Sequence, residues 1–269
     1  MSRTALIAGA GALPRLLAEG LGPDFLLAEL EGQPSEVPCE ALRFRFERLV
    51  PFLDHLLAEG VDRVVMAGAM RRPRLDPELF DARTAALVPR LLGAMQGGDD
   101  AALRTMIMLF EEWGFEVVGP DSIVPQMVPG EGVLAGTVTP KDAADAEYAA
   151  RIVAALGSED LGQGAVVAAG LCLALESLPG TDAMLEFARQ HRGVLAEPTR
   201  ARGLLYKAPK PGQDRRVDLP AIGPETVARA AKAGLAGIAW EAGGLILLDR
   251  TATVASAEAS GLFLWSRAP

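Results

Sequence analysis

The chain has 269 residues, of which 50 % are apolar and 23 % are charged, and its formal net charge at pH 7 is −9. This composition is typical of a soluble globular protein with one large or two medium domains. The acidic balance argues against a nucleic-acid-binding protein, because such proteins need many cations to neutralise phosphates. Its two cysteines form no disulfide framework. Residues 165–175, the longest apolar run, are about half a membrane span. Since the N-terminus also lacks a signal-peptide pattern, we expect a cytoplasmic protein.

The first half of the chain alternates short apolar runs with amphipathic segments. The apolar runs have the length of buried strands, and the amphipathic segments repeat leucine and phenylalanine at helical spacing. The predicted strands are residues 4–8, 25–29, 63–67 and 115–118. The predicted helices are residues 13–21, 49–59, 84–95 and 99–113. This order of elements predicts an α/β domain with a parallel sheet and helices on both faces.

A glycine-rich turn follows the first predicted strand. Gly9 and Gly11 separate that strand from the next helix, an arrangement that lets a phosphate approach the backbone near a helix N-terminus. Glu29 lies twenty residues after Gly9, where a dinucleotide-binding enzyme has its ribose-binding acid. However, Pro14 replaces the third glycine of that motif. The turn is therefore open to three interpretations: a nicotinamide or flavin site, another nucleotide site, or a structural tight turn.

A second candidate turn follows the third predicted strand. Gly68 ends the strand, and Met70, Arg71 and Arg72 come directly after it. Open α/β sheets bind ligands at the carboxyl ends of their strands. Either arginine is therefore a candidate phosphate contact, and a solvated arginine pair is the alternative.

The second half of the chain has a different character. Residues 120–140 are rich in proline and glycine and predict a connector. Beyond it, the predicted helices are residues 141–156, 183–191, 224–233 and 251–260. The predicted strands are residues 165–168, 171–175, 203–207, 237–240, 245–248 and 262–266. Gly243 and Gly244 predict a hairpin, and Thr181 or Asp182 is predicted to cap the helix that follows. We expect a second, mixed α/β domain.

Residues 207–220 combine opposite charges with proline in an otherwise acidic chain. Proline fixes the backbone and removes a donor, so this segment is predicted to be a stiff, irregular loop. Its charged residues are Lys207, Lys210, Asp214, Arg215, Arg216 and Asp218. A phosphorylated substrate with a divalent metal would suit both signs of charge. The alternative is a solvated surface loop.

Several common chemistries are absent from the sequence. It contains no Walker A phosphate loop, no zinc-binding H-E-x-x-H helix and no G-x-S-x-G nucleophile turn, and only two histidines. Carboxylates are therefore the candidates for general-base or metal-binding work. Their hard oxygen atoms suit Mg²⁺ or Mn²⁺. Asp218 is the first candidate, because apolar neighbours and Pro220 surround it, and Asp182 is the second.

Six motifs together resemble the LpxI family. They are I-A-G-A-G-A-L-P at residues 7–14, G-D-D-A-A-L-R at 98–104, G-Q-G-A-V-V at 162–167, G-T-D-A-M-L at 180–185, K-A-P-K-P at 207–211 and R-V-D-L-P-A-I-G at 216–223. The resemblance covers nearly the whole chain in order. It implies a Rossmann-like domain at residues 1–132 and a distinct C-terminal α/β domain at residues 133–269, with the lipid product held between them.

The resemblance also implies an activity. LpxI proteins are pyrophosphatases of lipid A biosynthesis that hydrolyse UDP-2,3-diacylglucosamine to UMP and 2,3-diacylglucosamine 1-phosphate, which is called lipid X. In this family, water attacks the α-phosphorus with the help of a divalent metal, here expected to be Mg²⁺ or Mn²⁺. The family's essential aspartate lies in R-V-D-L-P, which corresponds to Asp218.

The expected site consists of Asp218, which corresponds to the family's aspartate, and of residues that their charge or their place in a motif makes candidates. Asp218 is the expected catalytic residue and metal ligand, with Asp182 as a second metal ligand. The expected substrate-binding residues are Gly9, Gly11, Leu13, Met70, Arg71, Gln163, Thr181, Asp182, Lys207 and Lys210. For Gln163 a turn hydrogen bond is the alternative role, and for Thr181 or Asp182 the alternative is a helix cap.

The implied substrate carries two acyl chains, so we expect transient contact with the inner membrane surface. A homodimer is left open. Two other function classes are considered as well: an NAD(P)-dependent oxidoreductase built on the first glycine turn, and a non-catalytic protein that binds nucleotide sugars.

Overall fold

The computed structural model describes residues 3–71, 73–96, 99–195 and 202–268. It divides into two compact units, an N-terminal unit that ends at Val124 and a C-terminal unit that begins at Pro125. Arg72, the second arginine of the candidate phosphate turn, and Gly98 of the second family motif lie outside the described residues. Within the described ranges, no helix is both long enough and apolar enough to cross a bilayer.

The N-terminal unit is built on a parallel sheet. Its strands are β1 (Arg3–Ala8), β2 (Phe25–Leu30), β3 (Ala41–Phe44), β4 (Val61–Ala67) and β5 (Glu116–Val118). They lie in the order β3-β2-β1-β4-β5, and each neighbouring pair is parallel. The helices are α1 (Ala12–Leu21), α2 (Leu49–Ala58), α3 (Ala82–Ala85), α4 (Val88–Gln96), α5 (Asp99–Glu112) and α6 (Pro120–Ile123). This confirms the predicted Rossmann-like domain.

Two local predictions for this unit were wrong. Strand β3 was not predicted, because it is a four-residue edge strand with one buried residue, Phe44. The single helix predicted at residues 84–95 is divided into α3 and α4. Pro89 explains the division, because proline lacks the N–H that would bond to the carbonyl of Ala85 and its ring clashes there.

The C-terminal unit contains a mixed sheet, as predicted for its fold class. The strands are β6 (Gly132–Ala135), β7 (Gly164–Ala168), β8 (Leu171–Leu175), β9 (Leu204–Lys207), β10 (Ala221–Ile222), β11 (Gly237–Glu241), β12 (Ile246–Leu247) and β13 (Phe263–Arg267). The order of the main sheet is β6-β13-β11-β9-β7-β8. Its centre, β13-β11-β9, is parallel, whereas β6, β7 and β8 are antiparallel to their neighbours.

Helices cover both faces of this mixed sheet. They are α7 (Pro140–Ser158), α8 (Gly180–His191), α9 (Pro224–Lys232) and α10 (Arg250–Ser260). On one face, Ala149 and Val153 of α7 pack with Val167 and Tyr206. On the other face, α8, α9 and α10 bury residues around the fully buried Trp240. The alternating sides of β7 therefore belong to different cores, which explains why every residue of β7 is buried.

Three details of the C-terminal unit differ from the prediction. The segment predicted as a connector contains β6, which pairs with β13. Gly243 and Gly244 do not form a hairpin, because β11 pairs with β9 and β13 whereas β12 pairs with β10 in a separate parallel sheet. Helix α7 continues through the buried Gly157 to Ser158.

Candidate functional site

Several strand ends meet at one edge of the mixed sheet, which we call the Lys207 edge. Lys207 ends β9 and stands in register with Gly164, the first residue of β7, and with Trp240 of β11. On the far side of Gly164, the N–H of Glu176 donates to the Gly164 carbonyl at 2.9 Å. Residues 176, 164, 207 and 240 therefore form a row across neighbouring strands. The loops that leave this edge carry the charged residues singled out in the sequence.

A buried ion pair lies on this row. The side chains of Lys207 and Glu176 are 5 % and 11 % exposed, and Nζ of Lys207 lies 3.3 Å from Oε2 of Glu176. The same Nζ donates to the hydroxyl of Thr181 at 2.6 Å. That hydroxyl donates in turn to Oε1 of Glu176 at 3.0 Å, so it uses both its acceptor and its donor capacity. The three side chains form a closed network.

Burial and charge oppose each other at this lysine. Burial lowers the pKa of Lys207 and is the largest influence on it, while the charge and hydrogen bond of Glu176 and the charge of Asp182 act to raise the pKa. The net direction is downward. Glu176 thus opposes the effect of burial, which favours the neutral amine.

Two glycines make room for this network. Gly164 lies between Glu176 and Lys207 in the row, and a methyl group on its Cα would overlap Oε2 of Glu176. A methyl group on Gly162 would overlap the backbone carbonyl of Glu176. The G-Q-G motif is therefore explained by the close approach of Glu176, which lies outside the family motifs and was not among the predicted site residues.

Replacing Gly164 by alanine is expected to destabilise the protein by about 1–3 kcal/mol, the usual range for overpacking in a dense interior. It is also expected to lower activity, because the carboxylate of Glu176 must move away from Lys207. Thermal melting and turnover of the purified variant measure the two effects. Gly93→Ala is the matched control, since Gly93 lies inside α4 with open space around its Cα. An unchanged Gly164→Ala protein would contradict the packing argument.

The loop after Lys207 links two more predicted site residues. Gln213 is 8 % exposed. Its side-chain oxygen accepts from the N–H of Lys210 at 2.9 Å, and its amide nitrogen donates to Oδ2 of Asp218. The ammonium of Lys210 lies 2.5 Å from Oδ1 of Asp160. Gln213 therefore connects Lys210 to Asp218, although nothing in the sequence distinguished it from an ordinary loop residue.

Packing on both sides holds this loop in place. A methyl group on Gly157 of α7 would lie 2.7 Å from Pro211, and one on Gly244 would lie 2.8 Å from Pro209. These two glycines thus act as contact surfaces for the prolines of K-A-P-K-P. These contacts, together with its prolines, constrain the loop, which was expected to be stiff.

The remaining charges of the loop pair with each other or with the sheet. Arg216 forms an ion pair with Asp214 at 2.7 Å, and Arg215 lies 2.5 Å from a carboxylate oxygen of Glu241, at the end of β11. The Arg215–Glu241 pair joins the loop to the end of β11, whereas the Arg216–Asp214 pair lies within the loop.

The predictions for α8 and for the start of β7 have mixed outcomes. Thr181 and Asp182 lie in the first turn of α8, whose cap position is occupied by Pro179, so a capping role for either residue was wrong. The side chain of Asp182 is 62 % exposed and lies 3.2 Å from Nε of Arg229. The side-chain oxygen of Gln163 is buried and has no hydrogen-bond partner among the described residues. A turn hydrogen bond to that oxygen is therefore not what fixes Gln163.

In the N-terminal unit, the first glycine turn is tied to the turn after β4. Ala10 and Ala69 form a two-way backbone bridge at 2.9 Å, and a methyl group on Gly9 would lie 2.5 Å from the carbonyl oxygen of Ala69. Gly11 has φ 101°, which favours glycine, and Leu13 is half-buried in α1. Gly9 thus has a packing role whether or not it contacts a ligand.

The turn after β4 is fixed by a glutamine. The side chain of Gln33 accepts from the N–H of Arg71 at 2.6 Å and donates to its carbonyl at 2.8 Å. Met70 is 37 % exposed and the Arg71 side chain is exposed. Both side chains are accessible at the carboxyl end of β4.

Glu29, the candidate ribose-binding acid, is 6 % exposed at the end of β2. Its Oε1 accepts from the N–H of Ser35 at 2.8 Å and from the Ser35 hydroxyl at 2.7 Å. The carboxylate is thus engaged by its own loop, which argues against a ribose contact at this position.

The described residues contain no group of three or more histidine, cysteine, aspartate or glutamate side chains arranged to hold a metal ion. A divalent ion can also be held by fewer carboxylates, with its other ligands supplied by the substrate and by water. Mg²⁺ binds in this way in many phosphate-processing sites, through one or two carboxylates together with phosphate oxygens and water.

Comparisons with known proteins agree over both units. The family described as the LpxI N-terminal domain matches residues 3–127, and the LpxI C-terminal domain matches residues 130–265. The chain is also 41 % identical over 272 residues to a protein of Caulobacter vibrioides named UDP-2,3-diacylglucosamine pyrophosphatase LpxI. That similarity covers 98 % of this chain and 97 % of the relative.

Proposed function

The chain belongs to the LpxI family, and we propose that it is a hydrolase that converts UDP-2,3-diacylglucosamine to UMP and lipid X. The observation that carries the proposal is the identity of 41 % with a pyrophosphatase of that name over nearly the full length of both chains. The local chemistry supports it, because Gln213 links the backbone of Lys210 to the carboxylate of Asp218 in the loop after Lys207, and a diphosphate substrate requires cations that offset its charge.

The proposed mechanism assigns separate tasks to the residues of this loop. A diphosphate resists attack because its oxygen atoms repel a nucleophile, so cations must offset that charge. Lys207 and Lys210 would bind the phosphate oxygens. Asp218 would orient the attacking water toward the α-phosphorus, and the amide of Gln213 would hold the carboxylate of Asp218 in place.

A divalent metal fits this donor set if the substrate supplies phosphate oxygens. We assign Asp218 as the protein ligand, since the carboxylate of Asp182 lies against Arg229. Bound Mg²⁺ or Mn²⁺ would supply charge neutralisation at the phosphates.

The test is an assay of UMP release. The purified chain, incubated with UDP-2,3-diacylglucosamine and Mg²⁺, is expected to release UMP, and EDTA is expected to stop the reaction. In ¹⁸O-labelled water, the label is expected in UMP, because attack at the α-phosphorus places the new oxygen there. Label in lipid X would contradict the α-phosphorus assignment. UMP release that persists in EDTA would contradict the metal requirement.

The same assay separates the other function classes. An NAD(P)-dependent oxidoreductase would bind the dinucleotide tightly and release no UMP, and the hydrogen bonds that occupy Glu29 argue against it. A non-catalytic sensor would bind the nucleotide sugar without releasing UMP. Because the substrate carries acyl chains, we also propose transient contact with the inner membrane surface, which co-sedimentation with vesicles made of inner-membrane lipids would test.

A further inference from the structure

The buried pair of Glu176 and Lys207 calls for an explanation other than folding stability. Desolvation of two charges usually offsets their attraction, so a buried ion pair often stabilises a fold no better than apolar residues of similar volume. Lys207 ends β9, and Glu176 follows β8, with the first residue of β7 between them. The loop that carries Lys210 and Asp218 begins directly after Lys207. Its position therefore indicates a role in binding the substrate rather than in folding.

We infer that Glu176 is a positioning residue that, together with the Thr181 hydroxyl, fixes the Lys207 ammonium for a phosphate group of the substrate. The inference deepens the proposed function and rests on it. A lysine ammonium has three N–H donors on a flexible stem. The contacts described above direct this ammonium toward Thr181 and Glu176. With the ammonium held by these two side chains, one of its N–H groups would donate to a phosphate oxygen from a position that is set before the substrate arrives.

The local groups explain why a carboxylate is required at residue 176. Glu176 reaches the ammonium from the end of β8, and Asp182 of α8 acts on it through its charge. The register neighbours Gly164 and Trp240 carry no ionisable side chain. Burial already lowers the pKa of Lys207. Removal of the Glu176 charge would lower that pKa further, so the lysine would lose its proton at a lower pH.

The experiment compares Glu176→Gln with the wild-type chain in the UMP-release assay over a range of pH. We expect kcat/KM to fall by about 30-fold or more, the lower end of the effect of truncating one partner of a buried charge pair. We also expect the alkaline limb of the pH–rate profile to move to lower pH, a shift that a purely structural role would not cause. Thermal melting reports whether the variant is folded. Glu186→Gln is the control, because Glu186 is an exposed carboxylate of α8 that pairs with Arg189.

A second pair of variants covers the case in which Glu176→Gln does not fold. Thr181→Ser keeps the hydroxyl of the network, and Thr181→Val removes it. We expect the valine variant to lose more kcat/KM than the serine variant and to have its alkaline limb at lower pH, because only the serine hydroxyl can still accept from the Lys207 ammonium. A folded Glu176→Gln or Thr181→Val protein with wild-type kcat/KM and pH profile overturns the inference alone. A wild-type chain that releases no UMP overturns the proposed function, and the inference with it.

Discussion

Replacement of Asp218 by alanine is expected to reduce UMP release by about 1,000-fold or more, which corresponds to roughly 4 kcal/mol of lost transition-state stabilisation. The carboxylate is the group that we assign to the attacking water and to the metal, and the two lysines of the site cannot take over either task. The loss of folding stability should be smaller than that of transition-state stabilisation. The side chain is half-buried, and the variant loses its hydrogen bond from Gln213, a loss of about 1.5–3 kcal/mol because the acceptor is a carboxylate. Steady-state kinetics and thermal melting measure the two quantities independently.

Asp218→Asn refines this test. Asparagine has nearly the same shape and still offers an oxygen to the Gln213 amide, but it carries no negative charge. If the charge is what matters, the asparagine variant is as inactive as the alanine variant and more stable. Asp214→Asn is the matched control, because Asp214 lies in the same loop and pairs with Arg216. A folded and fully active Asp218→Ala enzyme would disprove the assignment.

The sequence predicted the N-terminal unit well because of how parallel strands are buried. Strands β1 and β4 are covered on both faces, so they appear as continuous apolar runs that need no knowledge of their partners. Strands β3 and β6 were missed because both are short edge strands with few buried residues. Their pairing partners, β2 and β13, decide that they are strands, and pairing is not visible in a local pattern.

The candidate site was predicted only in part, and the missing residues have a common cause. Glu176 contacts Lys207 across 31 positions, and Lys210 contacts Asp160 across 50. Such contacts depend on the order of strands in the sheet. The sequence therefore predicted the charged loop and Asp218 as site candidates. It did not predict Glu176, which pairs with Lys207, or Gln213, which donates to Asp218. The tight G-Q-G motif was a usable signal, because two closely spaced glycines at a strand start indicate close approach by another group.

The second large effect is expected from Lys207→Met. This change removes the proposed phosphate contact and leaves the Glu176 carboxylate buried without its cation. Breaking a buried pair in this way destabilises a protein by about 3–5 kcal/mol. The side chains of both partners are nearly inaccessible, so little solvent screening reduces this value. We therefore expect a clear loss of both thermal stability and UMP release, measured by calorimetry and by the UMP assay.

The double variant Glu176→Leu with Lys207→Met separates the loss of stability from the loss of activity. Both new side chains are apolar and similar in volume to the originals, so they can fill the same space beside Gly164 without an unpaired charge. We expect the melting temperature to return to the wild-type value or to exceed it, as apolar replacements of buried ion pairs often do. Activity should remain as low as in Lys207→Met, since no cation faces the phosphates. A stable double variant with restored UMP release would show that the pair serves packing alone. A stable and inactive one would show that this edge of the sheet keeps a buried charge pair for chemistry, since folding can proceed without it.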